Sequence, residues 1–312
     1  MRRGRRWLPF MGGLIVVLVA VGVSVMLRPL SYVDGWLRIS LWRAGVRSQY
    51  VAVDGLRMHY LEAGPAGAGE GTPLLLVHGL GARGEDWAGL IPGLAKAGFH
   101  VYAPDLPGYG RSARPDASYT IAYEEAAVVG FMRAVGISRA DVAGWSMGGW
   151  VAMRLTADHP EMVHRLVLYD SAGVYFRRDY DADLFTPTDA VGVKVLMARL
   201  TPKPIDLPRI VTRDFLRRSA GNAWVLRRSI GGMTSGRDLM EFRLGEIRTP
   251  TAVMWGTRDE LIPPAAGEKI ARGIAGAKFV PIEGCGHLAP AECVAQVLPA
   301  TVQFLRGGGA ER

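Results

Sequence analysis

The chain has 312 residues, 49% of them hydrophobic and 21% charged, with a formal net charge of +8 and two cysteines. That length suits one large α/β domain, or such a domain with an insertion. The positive surplus does not point to nucleic acid, because the arginines gather beside an apolar N-terminal run and no nucleic-acid-binding motif accompanies them.

Arg2, Arg3, Arg5 and Arg6 stand ahead of residues 7–27, a stretch without a charged side chain. As a helix rising ~1.5 Å per residue, it is long enough for a ~30 Å hydrocarbon core. The run is longer than the apolar part of a secretory signal, and no Ala-x-Ala site closes it, so residues 1–28 read as a basic tail and an uncleaved membrane anchor. Arginine is denser before the span than after it, at Arg28, Arg38 and Arg43, which places the N-terminus in the cytoplasm and the rest of the chain across the membrane. In residues 29–48, Leu30, Tyr32, Val33, Trp36, Leu37, Leu41 and Trp42 alternate with Asp34, Arg38, Ser40 and Arg43 at near-helical spacing. An interfacial helix and a helix packed on the globular domain both fit that pattern.

Residues 50–61 alternate around Asp54-Gly55 and predict a β-hairpin. Residues 73–79 form an apolar strand leading into His78-Gly79-Leu80-Gly81, residues 87–97 a helix, residues 99–104 a strand and residues 119–135 a helix. A strand into Ser146, a helix over 148–158 and a strand over 165–173 continue the alternation, which implies a parallel sheet with right-handed crossovers. The rhythm lapses over 174–248, where several short helical pieces, many arginines and Pro187, Pro202, Pro204 and Pro208 suggest an inserted helical cap. Strands over 251–256 and 278–282 and a last helix complete a core of residues 49–173 and 249–306, with 307–312 a disordered tail.

Chemistry is concentrated at three places. Val142-Ala143-Gly144-Trp145-Ser146-Met147-Gly148 is an apolar strand running into a Gly-x-Ser-x-Gly turn, which lifts a serine hydroxyl clear of a sheet edge. Asp259 follows the strand at 251–256, with Glu260 as its neighbouring rival and Asp170, after the earlier strand, as a second. His287 follows the strand at 278–282. Serine is a weak nucleophile, so a base must take its proton during attack and return it to the leaving group, and a carboxylate must hold that base's tautomer. Ser146, His287 and Asp259 are the expected nucleophile, base and acid, in the order serine, acid, histidine. The N–H groups of Leu80 and Met147 are the expected oxyanion donors. His78 and Asp105, each beside a glycine turn, are expected to hold loops. No cofactor or metal is expected, because no His, Cys and carboxylate cluster has ligand spacing. Cys285 and Cys293 can pair only in an oxidising compartment, and their spacing does not require it.

Taken as a set, His78-Gly79-Leu80-Gly81, Asp105 to Ser112, Gly-Trp-Ser146-Met-Gly-Gly, Trp-Gly-Thr-Arg-Asp259 and Gly-Cys-Gly-His287 resemble the α/β-hydrolase superfamily. The N-terminal run and Leu-Tyr-Asp170-Ser-Ala-Gly are similar to bacterial lipases and membrane-anchored monoacylglycerol lipases. The resemblance implies a mostly parallel sheet flanked by helices and a cofactor-free carboxylic ester hydrolase for small-molecule or lipid esters. Together with the arginine asymmetry around residues 7–27, this makes the expectation a single-pass bacterial inner-membrane protein with a periplasmic catalytic domain. Thioesters and carbon–carbon bonds are the alternative substrates, and a non-catalytic binding module is a further one. Trp145 stands where relatives often carry a polar residue, and is expected to alter the pocket.

Overall fold

The computed structural model describes residues 20–65 and 71–307. Eight strands form one sheet: β1 (Arg47–Val53), β2 (Leu56–Ala63), β3 (Thr72–Val77), β4 (Phe99–Pro104), β5 (Ala140–Trp145), β6 (Val163–Tyr169), β7 (Thr251–Gly256) and β8 (Lys278–Ile282). Their spatial order is β1-β2-β4-β3-β5-β6-β7-β8. The β1/β2 and β2/β4 pairs are antiparallel, and every later pair is parallel. The central parallel strands are apolar over most of their length, as at Leu74 to Val77 and Leu166 to Tyr169, because both their faces are covered.

Alternation of side chains along each strand divides the core in two. Leu75, Val77, Val142, Leu168 and Val253 belong to one cluster, beneath α3 (Ile121–Ala134), α4 (Met147–Asp158) and α7 (Pro264–Gly273). Leu74, Leu76, Ala143, Tyr169 and Met254 belong to the other, with α2 (Ile91–Lys96) and α9 (Val294–Leu305). Leu41 of α1 (Pro29–Arg43) joins this second cluster. A short helix, α8 (Ala289–Glu292), precedes α9.

Between β6 and β7 lie α5 (Ala190–Leu200) and α6 (Arg209–Thr234). In place of the several short pieces expected there, α6 is one continuous helix of 26 residues. The four prolines of the interval all precede Arg209, so none interrupts it, and Val225, Leu226, Ser229 and Ile230 form its buried stripe.

Helix α1 is tied both to the loop after β3 and to α6. Asp34 accepts from Arg83 Nη2 at 2.6 Å and from Arg218 Nη1 of α6 at 2.7 Å. Its backbone reaches α6 too, through Leu30 N–H to Asp214 Oδ2 at 3.1 Å. The opposite face leaves Tyr32, Trp36, Ile39 and Trp42 exposed. Most of the expected span over residues 7–27 lies outside the described residues; its last part, 20–27, is helical and exposed. Among the described residues no helix is long and apolar enough to cross a membrane. The expected tail lies outside them as well, apart from Gly307.

Candidate active site

Ser146 is the single residue between β5 and α4, and it is held at φ 56° and ψ −120°. A non-glycine residue tolerates that left-handed conformation only where its surroundings enforce it. Two glycines do so by letting backbones touch. A Cβ on Gly144 would stand 2.3 Å from Gly148 O, and one on Gly148 would stand 2.1 Å from Val77 O. The turn thereby presses against β3, whose exit loop passes close by: a Cβ at Gly79 would lie 3.1 Å from the Ser146 Cβ. Met147 opens α4, so its N–H has no acceptor within the helix. Leu80 sits inside the turn closed by Ala82 N–H to Gly79 O at 3.2 Å.

The loops carrying Asp259 and His287 meet beyond the ends of β7 and β8. His287 Nδ1 bonds Asp259 Oδ2 at 2.8 Å, with both side chains buried. Asp259 Oδ1 accepts from the N–H groups of Leu261 and Ile262 at 2.8 and 2.9 Å, so the carboxylate is oriented by its own turn. No hydrogen bond joins Ser146 Oγ to His287 among the described residues; sites without substrate are commonly this loose. Of the rival acids, Glu260 is exposed. Asp170 is fully buried, accepts from Gly256 N–H at 2.7 Å through Oδ1, and has no partner at Oδ2 among the described residues. Burial, then the nearby charge of Asp259, pushes its carboxyl well above the usual range.

His78 and Asp105 hold loops. His78 Nδ1 donates to Gly79 O at 2.8 Å and Nε2 accepts from Leu106 N–H at 3.0 Å, which fixes a neutral tautomer; burial also pushes its pKa down. Asp105 accepts from the N–H groups of Gly84 and Arg111, each at 2.7 Å, and bonds His59 Nδ1 at 2.8 Å.

A cavity of about 240 Å³ lies over Ser146 and Leu80, walled by Trp150, Val174, Phe176, Phe185, Ile230 and Leu261 among others. Arg178 is the one cationic residue lining it among the described residues. Trp145 does not line it. Successive strand residues point to opposite faces, so with Ser146 facing the cavity the indole turns away, packs near Trp87 and donates from Nε1 to His287 O at 2.8 Å. A second contact unread in the sequence joins the core to α6: Tyr109 Oη and Ser229 Oγ of α6 are 2.6 Å apart, and Tyr109 Oη reaches Met147 Sδ at 3.9 Å. Only the apolar spacing of Val225, Leu226 and Ile230 around Ser229 hinted that this serine faces inward.

The profile described as alpha/beta hydrolase fold matches residues 72–292. A 2-hydroxy-6-oxononadienedioate/2-hydroxy-6-oxononatrienedioate hydrolase of Paraburkholderia phymatum is 28% identical over 80% of this chain and 91% of its own length. A 2-hydroxymuconate semialdehyde hydrolase of a Pseudomonas species is 30% identical over 76% of this chain and 88% of its own length. The crystal structure of a membrane phospholipase A, described as a bacterial virulence factor, superposes with a TM-score of 0.83 at 28% identity, covering 97% of this chain and 99% of that one.

Proposed function

The chain belongs to the alpha/beta hydrolase fold family, and within it we propose a membrane-tethered serine hydrolase that cleaves carboxylic esters of lipid-like substrates. The observation that carries this reading is the buried 2.8 Å bond between Asp259 and His287 beside a strained Ser146 that floors an apolar cavity. With an acyl chain in that cavity, the ester carbon stands over Ser146 Oγ. His287 Nε2 takes the hydroxyl proton as Oγ attacks, while Asp259 keeps the other proton on Nδ1 and stabilises the imidazolium. The oxyanion accepts from Leu80 and Met147 N–H, donors of a kind worth about 10²–10³ each in turnover. His287 then protonates the leaving alkoxide, and water repeats the sequence on the acyl-enzyme. None of these steps calls for a cofactor.

Carbon–carbon bond hydrolysis is the second reading, favoured by the names of the two curated relatives. The first of those names specifies a dioate, a doubly charged substrate. A cavity lined mostly by apolar side chains, with Arg178 its one cation among the described residues beside the hydroxyls of Tyr175, Tyr180 and Thr234, suits an acyl chain better. Turnover of p-nitrophenyl esters of graded chain length, set against a 2-hydroxy-6-oxo-dienoate, decides between them. The ester reading expects the higher kcat/KM on a medium or long acyl chain, and it fails if the dienoate is preferred.

The tether rests on the arginines ahead of the uncharged run at 7–27, on the exposed Tyr32, Trp36, Ile39 and Trp42, and on the near full-length likeness to a membrane phospholipase A. We place the N-terminus in the cytoplasm and the hydrolase domain in the periplasm, where a disulfide persists. Protease added to intact cells is expected to spare the domain and to digest it in spheroplasts; digestion withheld in spheroplasts contradicts this orientation.

A further inference from the structure

The loop carrying His287 is closed by a covalent bond. Cys285 and Cys293 form a disulfide, and neither cysteine is free. His287 lies inside the ring so closed, two residues after Cys285, and α8 occupies most of the remainder. The loop is joined to the acid's loop by Arg258 N–H to Cys285 O at 2.8 Å and Thr257 N–H to Ile282 O at 3.1 Å. From the other side Trp145 holds His287 O, and Leu288 N–H reaches Leu200 O of the cap at 3.3 Å. Cys285 is buried, whereas Cys293 is only half-buried, so Cys293 is the side of the bond nearer to solvent.

Resting on the reading of His287 as the base, we propose that the Cys285–Cys293 bond positions that base, and that its reduction slows the site without unfolding the domain. A dithiol supplies the two electrons and two protons. Its thiolate attacks Cys293 Sγ, and Cys285 Sγ leaves and is protonated. The donor's second thiolate then releases Cys293 as a thiol, leaving a disulfide in the donor. The freed segment retains its hydrogen bonds to Asp259 and Trp145, so His287 stays near its place with a wider range of positions. Displacement of a catalytic group by ~1 Å costs on the order of a hundredfold, and partial loosening of this loop is expected to lower kcat by about five- to fiftyfold. Neither cysteine lines the cavity, so KM stays unchanged.

The test uses the full chain in detergent micelles, oxidised or treated with dithiothreitol, with free thiols counted by maleimide mass shift. Expected are a fall in kcat on a p-nitrophenyl ester at constant KM, a matching fall in the rate of fluorophosphonate labelling at Ser146, retained far-UV circular dichroism, and recovery on reoxidation. The Cys285→Ala/Cys293→Ala double variant is expected to match the reduced protein and to ignore dithiothreitol; if that variant does not fold, the reduction arm decides alone. Equal kcat and labelling in the oxidised and reduced protein overturn the clamp and leave the hydrolase reading intact. Loss of the far-UV signal on reduction also overturns it, since the bond then holds the fold. An oxidised protein that neither hydrolyses nor labels overturns both.

Discussion

The indole Nε1 of Trp145 donates to the main-chain carbonyl of His287 at 2.8 Å, so the residue before the candidate nucleophile holds the backbone of the candidate base. Trp145→Phe keeps an aromatic ring against Trp87 and removes the donor. Leaving that carbonyl unpaired costs about 1–3 kcal/mol, and part of the cost falls on His287 placement. Steady-state kinetics are expected to show kcat lower by about tenfold with KM within about twofold. A Trp145→Phe enzyme with wild-type kcat means that the bond serves packing alone.

Asp259 rather than Asp170 or Glu260 makes the bond to His287, and the three carboxyls can be ranked by amide substitution. Asp259→Asn is expected to lower kcat/KM by about 10³–10⁴. Asp170→Asn replaces a carboxyl whose protonated form is favoured by burial and by the charge of Asp259, and which does not touch His287, so turnover is expected to stay within about threefold. Exposed Glu260→Gln changes nothing measurable. A large loss at Asp170 with little at Asp259 reverses the assignment.

Glu124 is fully buried on α3, and neither carboxylate oxygen has a partner among the described residues. Burial raises its pKa well above the ordinary 4.5. The folded state therefore keeps this proton to a higher pH than the unfolded chain does. Stability falls as pH rises above about 4.5, and keeps falling until the folded pKa is passed. Glu124→Gln is expected to match wild type in urea denaturation near about pH 4 and to exceed it near about pH 8. A difference that does not change with pH would contradict this.

Gly148 meets Val77 O so closely that an added methyl must displace backbone. Gly148→Ala is expected to destabilise by roughly 3 kcal/mol or more. Gly245→Ala, where nothing lies within 4 Å of the added atom, is expected to stay within about 0.5 kcal/mol. Thermal melts of the two variants check the contrast, and equal melting temperatures refute it.

The glycine spacing around Ser146 was legible because backbone contact leaves so few residue types to choose from, and the apolar strands were legible because a parallel sheet covered on both faces admits little else. The orientation of Trp145 was not, since the pentapeptide alone does not say which side of the strand faces the cavity. Helix α6 was broken up by its arginine pairs at 217–218 and 227–228, which hide the stripe at Val225, Leu226 and Ile230 until a partner surface is known. Helix α1 left two readings open for a related reason: both its faces carry apolar residues. The fold divides them, with Leu41 buried against the domain and Trp36 and Trp42 left exposed. The cysteine spacing allowed pairing without requiring it, and only the turn through α8 brings the two sulfurs together.

In the proposed mechanism Ser146 is a nucleophile activated by His287. Incubating the chain with a fluorophosphonate and locating the adduct by peptide mass spectrometry tests it most directly. The expected result is a single adduct on Ser146, absent from Ser146→Ala and slowed by at least about 10³ in His287→Ala. An adduct on another residue, or labelling of Ser146 at an unchanged rate in the absence of His287, contradicts it.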